Sequence, residues 1–353
     1  MGKTVAVPAT FPSGTATAIG SMPGTDPVEA AAVVVGELPG LPHLPELPKR
    51  GLGADLIGRT AALLVDLAIE ERPSAYRVTA RPGSDHRTAV DHLRRDLDAF
   101  EEALEEAGTR SNLVKVQFAG PWTLMSEIEL PRGHRVMTDP GALRDFTASL
   151  AEGVARHVAE VRRRCGADVV VQFDEPSLPA VLAGALSSPS GLSMVPAVGA
   201  PEARDVLAEV FAAARKATDQ PVIVHCCATR PPVALFREAG VDAISLDATL
   251  LEGTPAVFTD QLGEAWDAGT VLLLGLVPSV SPGRPLSLHA AARPALELVD
   301  RLGFPRSLLA ERAVPTPTCG LAGATMGWTR RALELVRDLG KGFAEPPESW
   351  EKR

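Results

Sequence analysis

Positive charge is in short supply. Lys and Arg number 35 against 44 Asp and Glu, a formal net charge of −9. That excludes an extended phosphate-binding surface, so no nucleic-acid partner is expected. Cysteine is equally scarce: four residues are too few for a disulfide framework in a chain of 353. Free thiols or metal ligands in a reducing compartment are the expectation. No segment approaches the roughly 18 uninterrupted apolar residues of a membrane span. The opening "MGKTVAVPAT" also lacks the apolar run of a secretory leader, and these two absences predict no membrane association and a cytoplasmic location. Aromatics are sparse at 4%, yet 45% hydrophobic and 22% charged residues describe a folded globular protein and exclude disorder. There is no Walker loop, no Gly-x-Gly-x-x-Gly after a strand and no Gly-x-Ser-x-Gly elbow.

Short β-branched or apolar runs do recur, each followed by a longer segment of helical character. They are "LVKVQF" from Leu113, "DVVVQF" from Asp168, "PVIVHC" from Pro221, "DAISLD" from Asp242 and "VLLLGL" from Val271. These patterns predict buried parallel strands. Weaker runs at "TATAIGS" from Thr15, "AYRVTA" from Ala75 and "RAVPTP" from Arg312 bring the total to eight. The predicted fold is therefore α/β, a single (β/α)8 TIM barrel occupying residues 1–353. Residues 22–72 contain "GELPGLPHLPELPKRG", whose prolines forbid a regular helix or central strand. They read as an ordered proline-rich N-terminal insertion or arm.

Barrel chemistry gathers where the strands end and the βα loops begin. Those ends carry Gly20-Ser21, Gln117 to Gly120, Asp174-Glu175, His225 to Cys227, Asp247 and Thr318-Cys319. His225 and Cys227 are two residues apart, so an extended backbone points both to one face and Cys226 to the other. With Asp247 and Cys319 they offer one nitrogen, two thiolates and a carboxylate, a set suited to tetrahedral Zn²⁺. The alternative is a Cys-Cys pair that merely packs and an Asp that caps a helix. In "QFDEP" one of Asp174 and Glu175 enters the mouth, where it can hold an ammonium group, while the other caps or salt-bridges. "GSMPG" offers Ser21 and backbone N–H groups to an anion, and a plain turn fits equally. Trp122 reads as packing, Cys165 and Cys226 as structural. His43, His86, His92, His134, His157 and His289 have no metal-spaced partner, and most read as surface residues.

"IGSMPG", "QFDEPSL", "HCC", "ISLDA" and "PTPTCGLAGAT", in this order, resemble the catalytic barrel of cobalamin-independent methionine synthase from about Phe11 to Phe343. The resemblance implies a zinc-dependent methyltransferase acting on the thiol of homocysteine or a related small thiol. It places the zinc ligands on His225, Cys227, Asp247 and Cys319, where the family usually has glutamate at the third position. The substrate carboxylate falls on Ser21 and its amine on Asp174. Only one barrel is covered, without the N-terminal duplicate of the long synthases. The leaving-group histidine of "DIHSP" is replaced in "GLVPS" from Gly275, and the family's glutamate motif is not recognisable, with Asp55 or Glu46 as its substitutes. These departures point away from a polyglutamylated folate and towards a methylated corrinoid or corrinoid protein as donor. The alternatives are a metal-free barrel resembling uroporphyrinogen decarboxylase, with Arg50, Arg59 and Arg230 near its loops, and a non-catalytic zinc- and thiol-binding barrel.

Overall fold

The structure, a computed structural model, describes residues 10–72, 75–108, 112–189, 191–346 and 348. The first nine residues, read above for a leader, lie outside them. In chain order the strands are β1 (Ala68–Arg72), β2 (Ala75–Thr79), β3 (Leu113–Ala119), β4 (Ile128–Glu129), β5 (Asp168–Asp174), β6 (Val222–His225), β7 (Ala243–Asp247), β8 (Val271–Val277) and β9 (Ala313–Pro317). Strands β3, β5, β6, β7, β8 and β9 form one curled parallel sheet in that order. Each is almost wholly buried, because helices cover the outer face and neighbouring strands enclose the inner one.

The gap between β9 and β3 is closed by two extended segments. Thr17 N donates to Pro315 O (3.5 Å) beside β9, and Thr17 Oγ1 to Leu41 O (2.9 Å). Glu46 N donates to Gly20 O (3.2 Å) and Met22 N to Glu46 O (2.8 Å). On the far side Leu44 N reaches Lys115 O, and Lys115 N reaches Pro42 O, both at 2.8 Å in β3. Residues 15–21 and 41–47 thus occupy the remaining two positions of a TIM-barrel-like ring. Pro42 and Pro45 have no N–H to donate, so the second segment cannot build a regular ladder. The proline-rich stretch, expected as an arm, carries a wall of the barrel.

One expected barrel strand lies elsewhere. Ala75–Thr79 pairs antiparallel with β1, with Ala68 opposite Thr79, and touches β4 over two residues outside the barrel. Its Tyr, Val and Thr satisfy strand propensity equally well in a half-buried surface sheet.

The barrel interior has two layers. Phe11, Leu41, Val170, Ile223, Ala243, Val271, Leu273 and Val314 form an apolar plug. Two residues further along several of these strands stand Gln172, His225, Ser245 and Thr316, all buried and polar. A TIM-barrel interior is filled with side chains rather than open, so this polar layer forms the floor of whatever site lies above it.

Helix Pro140–Cys165 packs its Gly153 against the chain at Leu63, whose carbonyl oxygen would lie 2.1 Å from an added Cβ. Backbone cannot yield as a side chain can, so Gly153→Ala is expected to destabilise by about 1–3 kcal/mol. A thermal melt checks this; an unchanged midpoint would mean the contact is soft. Among the described residues no helix is long and apolar enough to cross a membrane.

Candidate active site

His225 ends β6, and Cys227 follows two residues later where the backbone leaves the sheet. Cys319 lies just beyond β9. These three bring one donor atom each to within 4.8 Å of one another. Cys319 Sγ donates to Cys227 Sγ at 3.6 Å, which holds the Cys227 thiol below its usual pKa and pushes the Cys319 thiol up. His225 Nδ1 lies 2.9 Å from Ser245 Oγ, while its Nε2 is buried with no hydrogen-bond partner among the described residues. A buried imidazole nitrogen without a partner beside two thiols is what a missing cation would satisfy.

Asp247, the fourth expected ligand, is not drawn into this group. Its Oδ1 accepts from Thr249 N (2.9 Å) and Thr249 Oγ1 (2.6 Å), capping the short turn after β7. Burial raises its pKa.

The adjacent carboxylates of "QFDEP" divide their work. Glu175 turns outward and accepts from Trp122 N (2.9 Å), Thr123 N (2.8 Å) and Thr123 Oγ1 (2.8 Å), holding the start of helix Pro121–Glu127. Burial pushes it up to about 7 against the pull of those donors. A Cβ on Gly120 would lie 2.4 Å from Glu175 Oε1, which accounts for the glycine in "FAGPW". Asp174 faces inward instead. It is 6% exposed, accepts from Gln172 Nε2 (2.6 Å), and has its pKa raised chiefly by burial.

Asp174, His225, Cys227 and Cys319 share a cavity of about 240 Å³ with Ser21, Glu46 and Gly320. Ser21 reaches the thiol loop: a Cβ on Gly320 would lie 2.1 Å from Ser21 Oγ, and Leu321 N donates to Ser21 O (2.8 Å). Glycine after Cys319 is therefore a spatial requirement of the serine. Glu46 is 5% exposed, its Oε1 has no partner, and burial pushes it up to about 7. Of the two proposed substitutes for the missing glutamate motif, Glu46 lines the cavity. Asp55 instead caps helix Leu56–Ala61 through Ile57 N and Gly58 N and accepts from the Tyr76 hydroxyl.

Beneath the cavity lies Lys115, fully buried, with burial lowering its pKa to about 7. Its ammonium donates to Ile19 O (2.8 Å), Gln172 Oε1 (2.8 Å) and Gln117 Oε1 (3.3 Å). Sequence reasoning passed over Lys115 and Gln172, although polar residues inside "LVKVQF" and "VVVQF" were a signal. A buried strand tolerates them only where they face other polar groups.

His43 and His157, read as surface histidines, are both buried, with pKa values lowered chiefly by burial. Trp122 packs, its Nε1 donating to Ala203 O (3.0 Å). Cys226 is buried and its thiol pushed up to about 12. Arg50 and Arg59 are both committed to Asp96, which leaves Arg230 alone among the arginines considered for a porphyrin-type substrate. A wider cavity of about 530 Å³ lies outside the barrel, between residues 248–253 and helix Leu288–Leu302. Its lining contains neither thiol nor imidazole.

A parallel barrel whose mouth carries thiols, an imidazole and buried carboxylates defines an enzyme of the TIM-barrel class. Its sequence matches the family described as cobalamin-independent synthase, catalytic domain, over residues 13–342. The chain belongs to this family and is a methionine synthase-like methyltransferase. No curated protein matches the sequence. Among solved structures, it is similar to a B12-independent methionine synthase from Shewanella sp. W3-18-1 in complex with selenomethionine. The identity is 13% and the TM-score 0.54, with 94% of this chain and 97% of that one covered. It is also similar to a methyltransferase from Methanosarcina mazei, at 19% identity and TM-score 0.53, covering 95% and 93%. At such identities the likeness concerns the fold.

Proposed function

We propose that the protein transfers a methyl group to the thiol of homocysteine or a closely related amino-acid thiol, with zinc held by His225 Nε2, Cys227 and Cys319. The observation that carries this reading is the cluster itself. Two sulfurs bonded to one tetrahedral zinc at about 2.3 Å sit roughly 3.8 Å apart, close to the 3.6 Å between Cys227 and Cys319. The orphaned His225 Nε2 supplies the third donor. Asp247, whose Oδ1 is held by Thr249 and which lies outside the group of three, would be the residue available as a further ligand.

Bound there, zinc would stabilise the substrate's thiolate at neutral pH, where a free thiol of pKa near 8.5 is mostly protonated. The protein's own side chains supply the rest. Asp174 and Glu46 line the cavity above Lys115, and their carboxyl groups are the acceptors available there to the substrate's amine. Ser21 Oγ and the backbone beside it receive the carboxylate. Held at both ends, the amino acid places its sulfur at the mouth, which is the positional part of catalysis. Overall the acceptor's S–H is exchanged for S–CH3: the carrier–CH3 bond of the donor (Co–CH3 of a methylcorrinoid or N5–CH3 of a methylfolate) breaks with its electron pair left on the carrier, and the proton lost from sulfur goes to that carrier or to solvent.

Ser245 orients His225 by fixing its Nδ1. Ser245→Ala is expected to weaken zinc binding about 10–100-fold, the usual cost of removing a ligand's outer partner. Competition with a chromogenic chelator measures it; unchanged affinity would show that Ser245 does not orient the ligand.

The function is tested by zinc analysis of protein purified under reducing conditions, followed by methyl-transfer assays to homocysteine with methylcobalamin and with 5-methyltetrahydrofolate. About one zinc per chain and methionine formation from either donor support the reading. The productive donor decides whether the corrinoid expectation, which rests on the missing "DIHSP" histidine, is correct. No zinc after anaerobic reconstitution would sink it in favour of a metal-free barrel. Zinc with thiol binding but no turnover would mean a zinc-dependent binding protein.

A further inference from the structure

We propose that Lys115 is a positioning residue that sets specificity for the amino-acid end of the substrate, acting through Gln172 on Asp174 and through the Ile19 carbonyl on the Ser21 loop. This rests on the reading of Asp174 and Ser21 as the contacts to that end.

The argument turns on donor and acceptor directions. A lysine ammonium can only donate, and the carboxylates of Asp174 and Glu46 favour that form of Lys115 against the burial that opposes it. Both glutamines beside it must therefore present oxygen to it: Gln172 Oε1 at 2.8 Å and Gln117 Oε1 at 3.3 Å. Their NH2 groups are then forced outward. Gln172 Nε2 donates to Asp174 Oδ1 (2.6 Å) and to Ile19 O (2.9 Å), and Gln117 Nε2 donates to Leu44 O (2.6 Å). One buried cation thus fixes the sense of a hydrogen-bond chain that ends on the carboxylate facing the cavity. Ile19 O and the Asp174 carboxylate, both acceptors, demand the same sense of the Gln172 amide, and Lys115 reinforces it from the other end: the flipped amide would set its oxygen against both acceptors and its NH2 against the ammonium.

The same ammonium also holds the backbone two residues before Ser21, since Ile19 O accepts from Lys115 Nζ at 2.8 Å. Gln117 packs there as well: a Cβ on Gly20 would lie 2.8 Å from its side chain. Residues 15–21 have no regular ladder on either side, so these side-chain bonds compensate for what the sheet does not supply. Lys115 therefore reaches both groups that grip the amino acid, without lining the cavity itself.

A structural role alone is the competing account. A buried lysine is costly, but methionine in its place would take a donor from Ile19 O and Gln172 Oε1, so a loss of stability alone does not separate the two accounts. The two accounts differ in ligand discrimination. Homocysteine and 4-mercaptobutanoate share thiol and carboxylate, and only the former has an amine. Titration calorimetry on the zinc-reconstituted protein gives the ratio of their dissociation constants, with zinc content and melting temperature recorded in parallel. Wild type is expected to prefer homocysteine by about tenfold or more, the worth of one charge-assisted hydrogen bond. Lys115→Met is expected to keep its zinc and lose most of that preference, with 4-mercaptobutanoate binding within about threefold of wild type. Should Lys115→Met fail to fold, Gln172→Leu cuts the same chain while keeping the lysine and is expected to show the same loss. Equal weakening of both ligands, or undiminished preference in the variants, overturns the inference. A wild type that does not distinguish the two thiols overturns the reading of Asp174 itself, a separate failure visible before any variant is made.

Discussion

Cys319→Ala protein, purified beside wild type under reducing conditions, is expected to retain little zinc and to lose methyl transfer with it. The weakening should exceed the roughly 10–100-fold that follows loss of an outer partner, because a bonding thiolate is removed from a group of three. The remaining pair, His225 and Cys227, are two residues apart on one strand end and can hold a cation from one side only. Cys319 alone of the three cluster residues comes from the far end of the sequence, so it closes the site. Cys226→Ala is the control. Its sulfur is buried away from the cluster with its pKa pushed up to about 12, so it stays a neutral packing group and its loss should leave zinc intact. Equal zinc in wild type and Cys319→Ala would remove the metal centre from the proposal. Loss in both variants would show that packing around "HCC", rather than ligation, is what the substitutions disturb.

The parts of the fold legible in the sequence were those where a single physical rule dominates. Five long apolar runs had to be buried parallel strands, and all five lie in the curled sheet. Where two requirements competed, legibility failed. Residues 41–47 must be a barrel wall and must also turn tightly, and the prolines that serve the second need conceal the first. Ala75–Thr79 has strand propensity, but propensity does not say which sheet. At the site, the spacing of His225 and Cys227 was readable because period-two alternation decides facing directly. The resemblance put the amine contact on Asp174, but the partners of Glu175, Trp122 and Thr123, lie fifty residues away and no local pattern pointed to them. Asp247 was ambiguous from the start, since a strand-end aspartate suits a cap and a ligand alike, and its Oδ1 caps the turn after β7.

Asp174→Asn is expected to separate stability from function. In the substrate-free chain this carboxylate is buried and its pKa is raised, with desolvation the largest cause. An acid whose pKa is higher folded than unfolded binds more protons when folded, so it costs stability as pH rises through the interval between the two values. Asparagine carries no such cost and still accepts from Gln172 Nε2 through its carbonyl oxygen. Near neutral pH the variant should therefore melt at or above the wild-type temperature. That advantage should fade in acid, where Asp174 is itself protonated. Activity should move the other way. Removing the charge that meets a buried ammonium commonly costs 2–5 kcal/mol, or about 30- to several-thousand-fold in kcat/KM for homocysteine. For 4-mercaptobutanoate, which brings no amine, kcat/KM should change little. A variant that loses both substrates equally, or that melts well below wild type at neutral pH, would mean that Asp174 serves the barrel rather than the substrate. A variant that is stable, zinc-replete and blind to the amine would show that the protein keeps an unfavourable buried charge because its substrate requires one.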